Sequence, residues 1–536
     1  MNLTAAPLEN DAAVWVAGMD VGAMMRRGAR FHRQLTFLID GENRLTFGDT
    51  LDRVDRLSRA LAHDLGVRQG DRVAMLLHNR PEFIEIYWAV IELGAVIVPV
   101  NFRLQAREIA YILNDSGASI LLAEPEFAEM FGTLRAEVPA LREIVELGAR
   151  FGLPSSYETL IAASEGPPPR PLIDERDPCS LLYTAGTTGF PKGAIRTHKA
   201  VMWYSLLGLQ RVGPGSSYLA VPPMFHIGGQ EVWIMLSAMR GGKIVLLRNF
   251  NPHEVLDAIE RERISTAFIP PAIGIGMLHA LREKPRDLSS LHNWLSASAP
   301  LPEHVRHEAL EKLPGLRFSN GLGMTEAGGI AGLSGDDAMR KPSTCVGRPS
   351  PTVGIRIVGE DDHDLPLGEI GEIVIRSPQI VEGYWNKPEA TAEANRNGWF
   401  HTGDAGCFDA DGHLHVLDRI KDMVITGGEN VYAAEVENVL FGMPEVLEAA
   451  IIGLPDPKWG EAVTAVVVLR PGQSVDEPTI ISRSRQQLAH YKVPRRVIFV
   501  SALPRNAMGK VLKRDLRATY GGGASAVPDA DQAPHR

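Results

Sequence analysis

A run of helical period, a glycine or short turn, and then a short apolar run recur in that order along the chain, and few folds accept that order. Between Pro81 and Val100, the residues Phe83, Ile86, Tyr87, Val90 and Leu93 fall on one helical face, Gly94 supplies a stop, and AVIVPV follows as a buried strand. Glu254 to Ile269 repeats the scheme, with Val255, Leu256 and Ile259 on one face and ISTAFI after them. Pro302 to Asn320 does so again, with Val305, Ala309 and Leu313 ahead of LRFSN. Helices alternating with short apolar strands predict an α/β fold with largely parallel sheets. Three segments rich in glycine or small residues each follow such a strand: TAGTTGFPKG after SLLY, SASAPLP after the strand around Trp294, and GLGMTEAGG after LRFSN. Ligands of open α/β sheets sit beyond the carboxyl ends of strands, so the three are expected to line one crevice.

The pattern changes after residue 345. Val353 to Val358 and Gly371 to Arg376 alternate apolar and polar residues, the period of antiparallel strands. A small β subdomain is expected there, followed by GWFHTGD and the hairpin DADGHLHVLDR. Beyond Arg419 a candidate helix at Ala433 to Leu440 and strands at Glu448 to Gly453, Ala462 to Leu469 and Arg496 to Val500 suffice for a small α+β domain. GPPPRP at 166 to 171 marks a linker or subdomain boundary, and GGGASAVPDADQAPHR at the end is too poor in large apolar residues to order itself.

Charge balance removes one class of partner. Lys plus Arg is 55 against 65 Asp plus Glu, a net charge of -10, whereas phosphate-backbone binding draws its affinity from basic excess, so no nucleic acid is expected. Only Cys179, Cys345 and Cys407 are present, far apart and odd in number, which fits a reducing compartment without a disulfide framework. The opening MNLTAAPLENDAAV lacks the basic and apolar stretches of a secretory signal. The most apolar run, Tyr87 to Val100, is broken by Glu92, Gly94 and Pro99, so no integral membrane segment is expected. A cytoplasmic, multidomain enzyme is the default.

Tyr183 to Gly193, YTAGTTGFPKG, carries the most chemistry. Gly186 and Gly189 permit backbone turns that point successive N–H groups inward, Thr184, Thr187 and Thr188 add hydroxyls, and Lys192 adds a positive charge. Such a loop suits a polyphosphate; a plain surface turn is the alternative. It is not the G-x-x-x-x-G-K-[ST] loop, because Pro191 stands where the second glycine would be and Gly193 follows the lysine.

This segment resembles the signature of the adenylate-forming superfamily of acyl-CoA synthetases, peptide-synthetase adenylation domains and luciferases. Further strings follow in the family's order, from Leu45 to Arg517. The resemblance implies a large N-terminal ATP- and acyl-binding domain at 1–418, made of two α/β subdomains and a small β subdomain. A hinge at 419–421, a smaller mobile α+β domain at 422–520 and a disordered tail at 521–536 complete the expected layout.

The same resemblance implies roles for named residues. Ala185 joins Thr184, Gly186, Thr187, Thr188, Gly189 and Lys192 on the nucleotide. Asn320, Gly321, Leu322, Gly323 and Met324 lie along it, with Thr325 on the α-phosphate, Glu326 on Mg²⁺ and Thr184 as a second metal contact. A carboxylate beside a triphosphate is useful mainly through that cation, which takes oxygen ligands. Leu322 stands where the family commonly has an aromatic residue on adenine; an aliphatic side chain covers the base by dispersion without stacking. Ser298 and Ala299, in SASAPLP, resemble the adenine-binding segment, and Asp404 in WFHTGD the carboxylate on the ribose hydroxyls. Arg419 resembles the ribose-contacting, interdomain arginine and Lys421 the hinge position, while Gly427 and Gly428 of TGGENVY would line the pantetheine tunnel of coenzyme A.

Lys510, in RNAMGKVLKRDLR, resembles the lysine that touches both the carboxylate substrate and the α-phosphate; Met508 stands where the family more often has Thr. When a carboxylate attacks phosphorus, negative charge accumulates on phosphate oxygens, and a lysine aimed at that charge stabilises the transition state selectively. PMFHIGG resembles the carboxylate-pocket segment, with His226 at the gate and Ile227, Gly228 and Gly229 on the acyl pocket. The two glycines remove bulk, which favours an acid larger than acetate, either fatty or an aryl or arylpropenoic acid.

The function expected is an ATP-dependent carboxylic acid:CoA ligase, forming an acyl adenylate and pyrophosphate and then a thioester and AMP. Its partners would be a small carboxylic acid, ATP and CoA, and self-association into a homo-oligomer is compatible with it. One alternative is an enzyme that stops at the adenylate or loads a carrier protein. Another is a non-catalytic nucleotide- or acyl-binding protein. Against the latter stands the joint presence of Lys192, Glu326, Asp404, Arg419 and Lys510, since a binding module needs no lysine devoted to a transition state.

Overall fold

The computed structural model describes residues 20–184, 190–209, 215–298, 301, 303–313, 315–505 and 511–521. The expected tail from 522 onward lies outside them. The chain divides into two compact units. The first takes in residues up to Glu369 together with Ile373–Thr402 and Cys407–His415; the second takes Ile370–Glu372, Gly403–Gly406 and the chain from Val416 on.

Two sheets build the first unit. A six-stranded sheet runs in the order Glu143–Glu146, Ile120–Ala123, Arg72–Leu76, Val96–Pro99, Pro178–Thr184, Lys192–Thr197. Its first five strands are parallel, as helix-and-strand alternation demands, and only the last pair is antiparallel, because a short loop can return the chain only as a hairpin. In the larger, fourteen-stranded sheet the parallel core holds Arg317–Met324, Asn293–Ser296, Thr266–Phe268, Ser217–Ala220, Lys243–Leu246 and Thr36–Asp40 in that order.

The switch to antiparallel pairing comes earlier than the alternation after residue 345 suggests. Arg317–Met324 already pairs antiparallel with Gly328–Ser334, and Cys345–Pro349 continues that path. The GLGMTEAGG segment is therefore not a loop beyond a strand. Gly321 to Met324 prolong the strand itself, and only Thr325 to Ala327 turn. Glycines fit a narrow hairpin as well as a loop: a Cβ on Gly321 would sit 2.9 Å from the Ala331 carbonyl, and one on Gly323 2.9 Å from that of Gly328.

The helix Pro81–Glu92 also departs from its pattern, since all twelve residues are buried rather than one face. It packs against the helices Val21–Phe31 and Phe47–His63 on one side and the six-stranded sheet on another. Its three carboxylates tolerate this because each has a cation: Glu82 pairs with Arg80 at 2.6 Å, Glu85 with Arg53 at 2.7 Å and Glu92 with Arg26. Pro81 opens the helix where no N–H is needed, and Gly94, at φ +65°, turns the chain into the next strand.

The second unit is a five-stranded sheet with helices on its two faces. Glu429–Val431, Val424–Thr426, Gly460–Leu469 and Val446–Asp456 lie in that order, and Arg496–Phe499 pairs parallel with Gly460–Leu469. Alternation along the strands feeds two cores. Ile451, Val463, Ala465 and Val467 join Val436, Leu440 and Ile480, from the helices Ala433–Phe441 and Glu477–Arg485, whereas Ile452, Val466 and Val468 join Leu516 of the helix Lys513–Tyr520.

Candidate active site

At the end of Pro178–Thr184 the ladder pairs Thr184 with Lys192, and the Thr184 hydroxyl donates to the Lys192 carbonyl at 3.5 Å. Ala185, Gly186, Thr187, Thr188 and Gly189 lie outside the described residues. A third segment, 381–385, closes on the far side of Lys192–Thr197: Ile195 N–H donates to Gly383 at 3.0 Å and Trp385 N–H to Gly193 at 2.8 Å. This places Tyr384 between two residues chosen from sequence. Lys192 Nζ stands 5.2 Å from the centroid of its ring, and the Tyr384 hydroxyl donates to Glu326 Oε1 at 2.9 Å. Glu326 is buried, and its carbonyl accepts from Val381 N–H at 2.8 Å. Tyr384 was not found from sequence. The signal was present in EGYWN, two aromatic residues after a glycine outside any helical period.

A buried frame stands behind the turn that carries Thr325 and Glu326. Arg196 and Glu231, neither side chain exposed at all, pair at 2.9 Å, and Arg196 Nη1 donates to the Gln379 carbonyl at 2.8 Å. The Gln379 amide in turn donates to the carbonyls of Ala327 and Gly329, at 2.6 and 2.7 Å, and accepts from the Thr352 hydroxyl at 3.1 Å. Of the other residues expected on the nucleotide, Asn320 spends its amide on the Cys345 carbonyl at 3.3 Å, and Leu322 and Met324 sit half-buried in the hairpin. Ser298 occupies the left-handed region at φ +77°, a conformation that costs a non-glycine residue of order 1 to 3 kcal/mol and concentrates at functional sites. Ala299 lies outside the described residues.

In the second unit Asp404 and Arg419 are brought together, Nε to Oδ1 at 2.7 Å, with Asp404 buried. Gly403 precedes Asp404 at φ +70° and donates its N–H to Glu372 at 3.0 Å. Lys421 lies on the single turn Ile420–Asp422, and burial pushes its ammonium below the ordinary lysine range. Asp418 accepts from Ala433 N–H at 2.6 Å, at the start of Ala433–Phe441, and Arg517 pairs with Asp422 at 3.1 Å. Gly427 and Gly428, at φ +61° and +84°, form the two-residue turn between Val424–Thr426 and Glu429–Val431, so the hairpin itself requires both glycines. Lys510 lies outside the described residues, within a segment whose flanks Arg505 and Val511 pair antiparallel.

The PMFHIGG segment, expected on the acyl side, follows Ser217–Ala220. Asn79 holds its start, donating to the carbonyls of Ala220 and Pro222 at 3.2 and 3.1 Å and accepting from Met224 N–H at 2.8 Å. His226 N–H donates to Pro223 at 3.2 Å, and Ile227–Gly229 forms one tight helical turn. The His226 Nε2 is buried without a partner, and burial, reinforced by Arg103, lowers its pKa to about 3, so the imidazole is neutral at physiological pH. Gly228 and Gly229 are the two positions of this turn where a side chain would not fit. A Cβ on Gly228 would meet the Phe268 ring at 2.8 Å, and one on Gly229 the Pro223 carbonyl at 2.5 Å, so these glycines admit close packing.

Two clusters of carboxylates and histidine among the described residues have ligand atoms close enough to share a cation: His78, Glu124 and Glu126, and Asp409, Asp411 and His413. Basic side chains already occupy both. Arg80 and Arg248 pair with Glu124, at 2.9 and 2.5 Å, and Lys341 with Asp409 and Asp411, at 2.8 and 2.9 Å.

The family model for AMP-binding enzymes matches residues 25–385, and that for the C-terminal domain of AMP-binding enzymes matches 435–510. The chain is 40% identical over 504 residues to a feruloyl-CoA synthase of an Amycolatopsis species, covering 94% of this chain and 99% of that protein. It is 36% identical over 514 residues to the long-chain-fatty-acid–CoA ligase FadD13 of Mycobacterium tuberculosis, covering 94% and 98%. Its fold is similar to that of ATP-bound MatB from Rhodopseudomonas palustris, with a TM-score of 0.86 at 30% identity and coverage of 94% and 99%. Among the described residues no helix is long and apolar enough to cross a membrane.

Proposed function

The chain belongs to the family of AMP-binding enzymes and is an AMP-forming acid–CoA ligase that works with ATP and CoA, and from that premise we propose how its residues divide the two half-reactions. The acid is fatty or aryl, the classes on which its relatives are named. In the first half-reaction the substrate carboxylate attacks the α-phosphorus, the bond to the leaving pyrophosphate breaks, and acyl-AMP forms. In the second the CoA sulfur attacks the acyl carbonyl, AMP leaves, and the thiol proton passes to solvent.

The observation that carries the assignment is the tie through Tyr384, which links Lys192, at the end of the glycine-threonine loop, to Glu326. A cation and a carboxylate held within one frame suit a triphosphate and its counter-ion. Tyr384 engages one carboxylate oxygen of Glu326, and a carboxylate with a hydroxyl is an oxygen-only donor set, so Glu326 and Thr184 are the residues that would hold Mg²⁺. When bound, that ion would neutralise charge on the phosphate oxygens. Thr325 and Lys510 are assigned to the α-phosphate, Ser298 to the adenine side, Asp404 and Arg419 to the ribose, Lys421 to the hinge, and Gly427 and Gly428 to the CoA side. His226, uncharged, separates the acyl carboxylate from the nucleotide without adding an imidazolium beside it.

A CoA-dependent AMP-release assay across fatty, benzoic and cinnamic acids tests the reading. AMP should appear only when an acid, ATP and CoA are all present. No release with any acid, or equal release without CoA, would overturn it.

A further inference from the structure

Tyr384 stands between Lys192 and Glu326 because the segment 381–385 lies along Lys192–Thr197, and the two residues just beyond that segment both reach Asp115. Lys387 Nζ pairs with Asp115 Oδ1 at 3.0 Å, and the Asn386 side-chain amide donates to the Asp115 carbonyl at 3.1 Å. The second carboxylate oxygen, Oδ2, accepts from the Tyr183 hydroxyl at 2.8 Å. Tyr183 immediately precedes Thr184 at the end of Pro178–Thr184. One carboxylate therefore joins the strand that enters the glycine-threonine loop to the segment that carries Tyr384.

The helix Ala106–Ser116 holds more than that strand end. One turn before Asp115 on the same face, the Tyr111 hydroxyl donates to the Pro191 carbonyl at 3.2 Å, where the chain returns to Lys192. Just after Asp115, the carbonyls of Ser116 and Gly117 accept from Arg72 Nε and Nη2 at 2.8 and 3.1 Å, and the Arg72 guanidinium stands 5.7 Å from the centroid of the Trp385 ring. Entry, exit and facing segment are all gripped by one helix end. Asn386 sits in the left-handed region at φ +52°, a conformation that persists in a non-glycine residue only where its surroundings impose it. The Asp115 side chain is 7% exposed, and charge-assisted bonds so sheltered from water are stronger than exposed ones.

We infer that Asp115 is a positioning residue for adenylation, fixing the segment 381–387 so that Tyr384 keeps Lys192 and Glu326 aligned for the triphosphate and its counter-ion. The inference rests on the ligase reading above and deepens it. The second half-reaction handles neither pyrophosphate nor that ion, so it should depend little on Asp115. The test measures pyrophosphate release from acid and ATP and, separately, thioester formation from supplied acyl adenylate and CoA, in the parent and in Asp115→Asn, which keeps size and removes charge. Adenylation should fall roughly tenfold and thioester formation by less than about twofold. Tyr384→Ala removes both contacts that Asp115 orients, so adding Asp115→Asn to it should cost less than about twofold more, whereas a merely structural role would multiply the two losses. Lys387→Met, at a side chain 36% exposed, keeps the test open should Asp115→Asn fold poorly, and should show the same split with a loss of about threefold. Losses equal in the two half-reactions, losses that multiply in the Tyr384→Ala background, or no loss in either variant overturn the inference while turnover by the parent still supports the ligase. Absence of AMP from the parent with every acid strikes the ligase reading itself.

Discussion

Around Lys192 and Glu326, polar side chains of the first unit are bound to one another in a continuous series, while beside the turn Ile227–Gly229 two buried side chains keep polar atoms without a hydrogen-bond partner. Lys192 meets Tyr384, Tyr384 holds Glu326, and Gln379 joins the turn after Glu326 to the buried Arg196–Glu231 pair. His226 and Gln230, only a few residues before and at the start of the helix that carries Glu231, keep unpartnered atoms in the interior. Chemistry common to every acid needs groups fixed before the substrate arrives, so their cost is met by permanent partners.

Breaking the frame should have the largest effect. Glu231→Ala leaves Arg196 charged and buried without its partner, and should destabilise the first unit by about 3 to 5 kcal/mol in urea unfolding, a cost typical of a buried pair cut on one side. A shift below about 1 kcal/mol would mean that the pair is not what holds the turn.

Lys510→Ala comes next, with adenylation slowed by about 10² to 10³ and thioester formation from supplied acyl adenylate largely spared. Equal loss in both half-reactions would remove Lys510 from its assigned place. A milder change sharpens the comparison from within the frame: Tyr384→Phe frees one oxygen of Glu326 and keeps the ring over which Lys192 lies, so the adenylation rate should fall about tenfold with no change in the order of preferred acids. A changed order of acids would put Tyr384 on the acyl side instead.

A separate test, read in stability rather than rate, asks whether an unpartnered buried nitrogen by itself signals a ligand. His198 also has a buried Nε2 without a partner, but its Nδ1 accepts from Val21 N–H at 3.2 Å and it opens a different helix. Burial lowers its pKa to about 4 from the usual 6.5. Below pH 6.5 the unfolded chain takes up a proton that the folded chain refuses until about pH 4. Stability is therefore complete above the first value and declines as pH falls toward the second, by about 3 kcal/mol in total. His198→Gln should flatten urea stability between those pH values without altering the preference among acids; an altered preference would mean that such a nitrogen does signal one.

The alternation of helix, glycine and strand was legible because it follows from local periodicity, and the parallel sheets bear it out. GLGMTE was misplaced for a physical reason: a glycine that opens a loop and a glycine that lets two antiparallel backbones approach look the same in a string, and only the pairing with Gly328–Ser334 separates them. What lies against Gly228 and Gly229 was likewise not legible, since only the fold brings Phe268 and the Pro223 carbonyl to them. Lys513, within the basic run near Lys510, has the composition of a solvated face yet is half-buried and paired with Glu437 at 2.8 Å.

Residue order alone determined the α/β class, the family and its ATP- and CoA-dependent chemistry, because these depend on short strings whose backbone and charge requirements are local. Tertiary structure alone decided that Tyr384 joins Lys192 to Glu326, that Arg196 and Glu231 support, through Gln379, the turn that carries Thr325 and Glu326, and that Gln230 is buried without a partner for its side-chain amide. Those are relations among residues tens to hundreds of positions apart, and hydrogen-bond satisfaction in an interior depends on every neighbour that folding brings in, which no local pattern records.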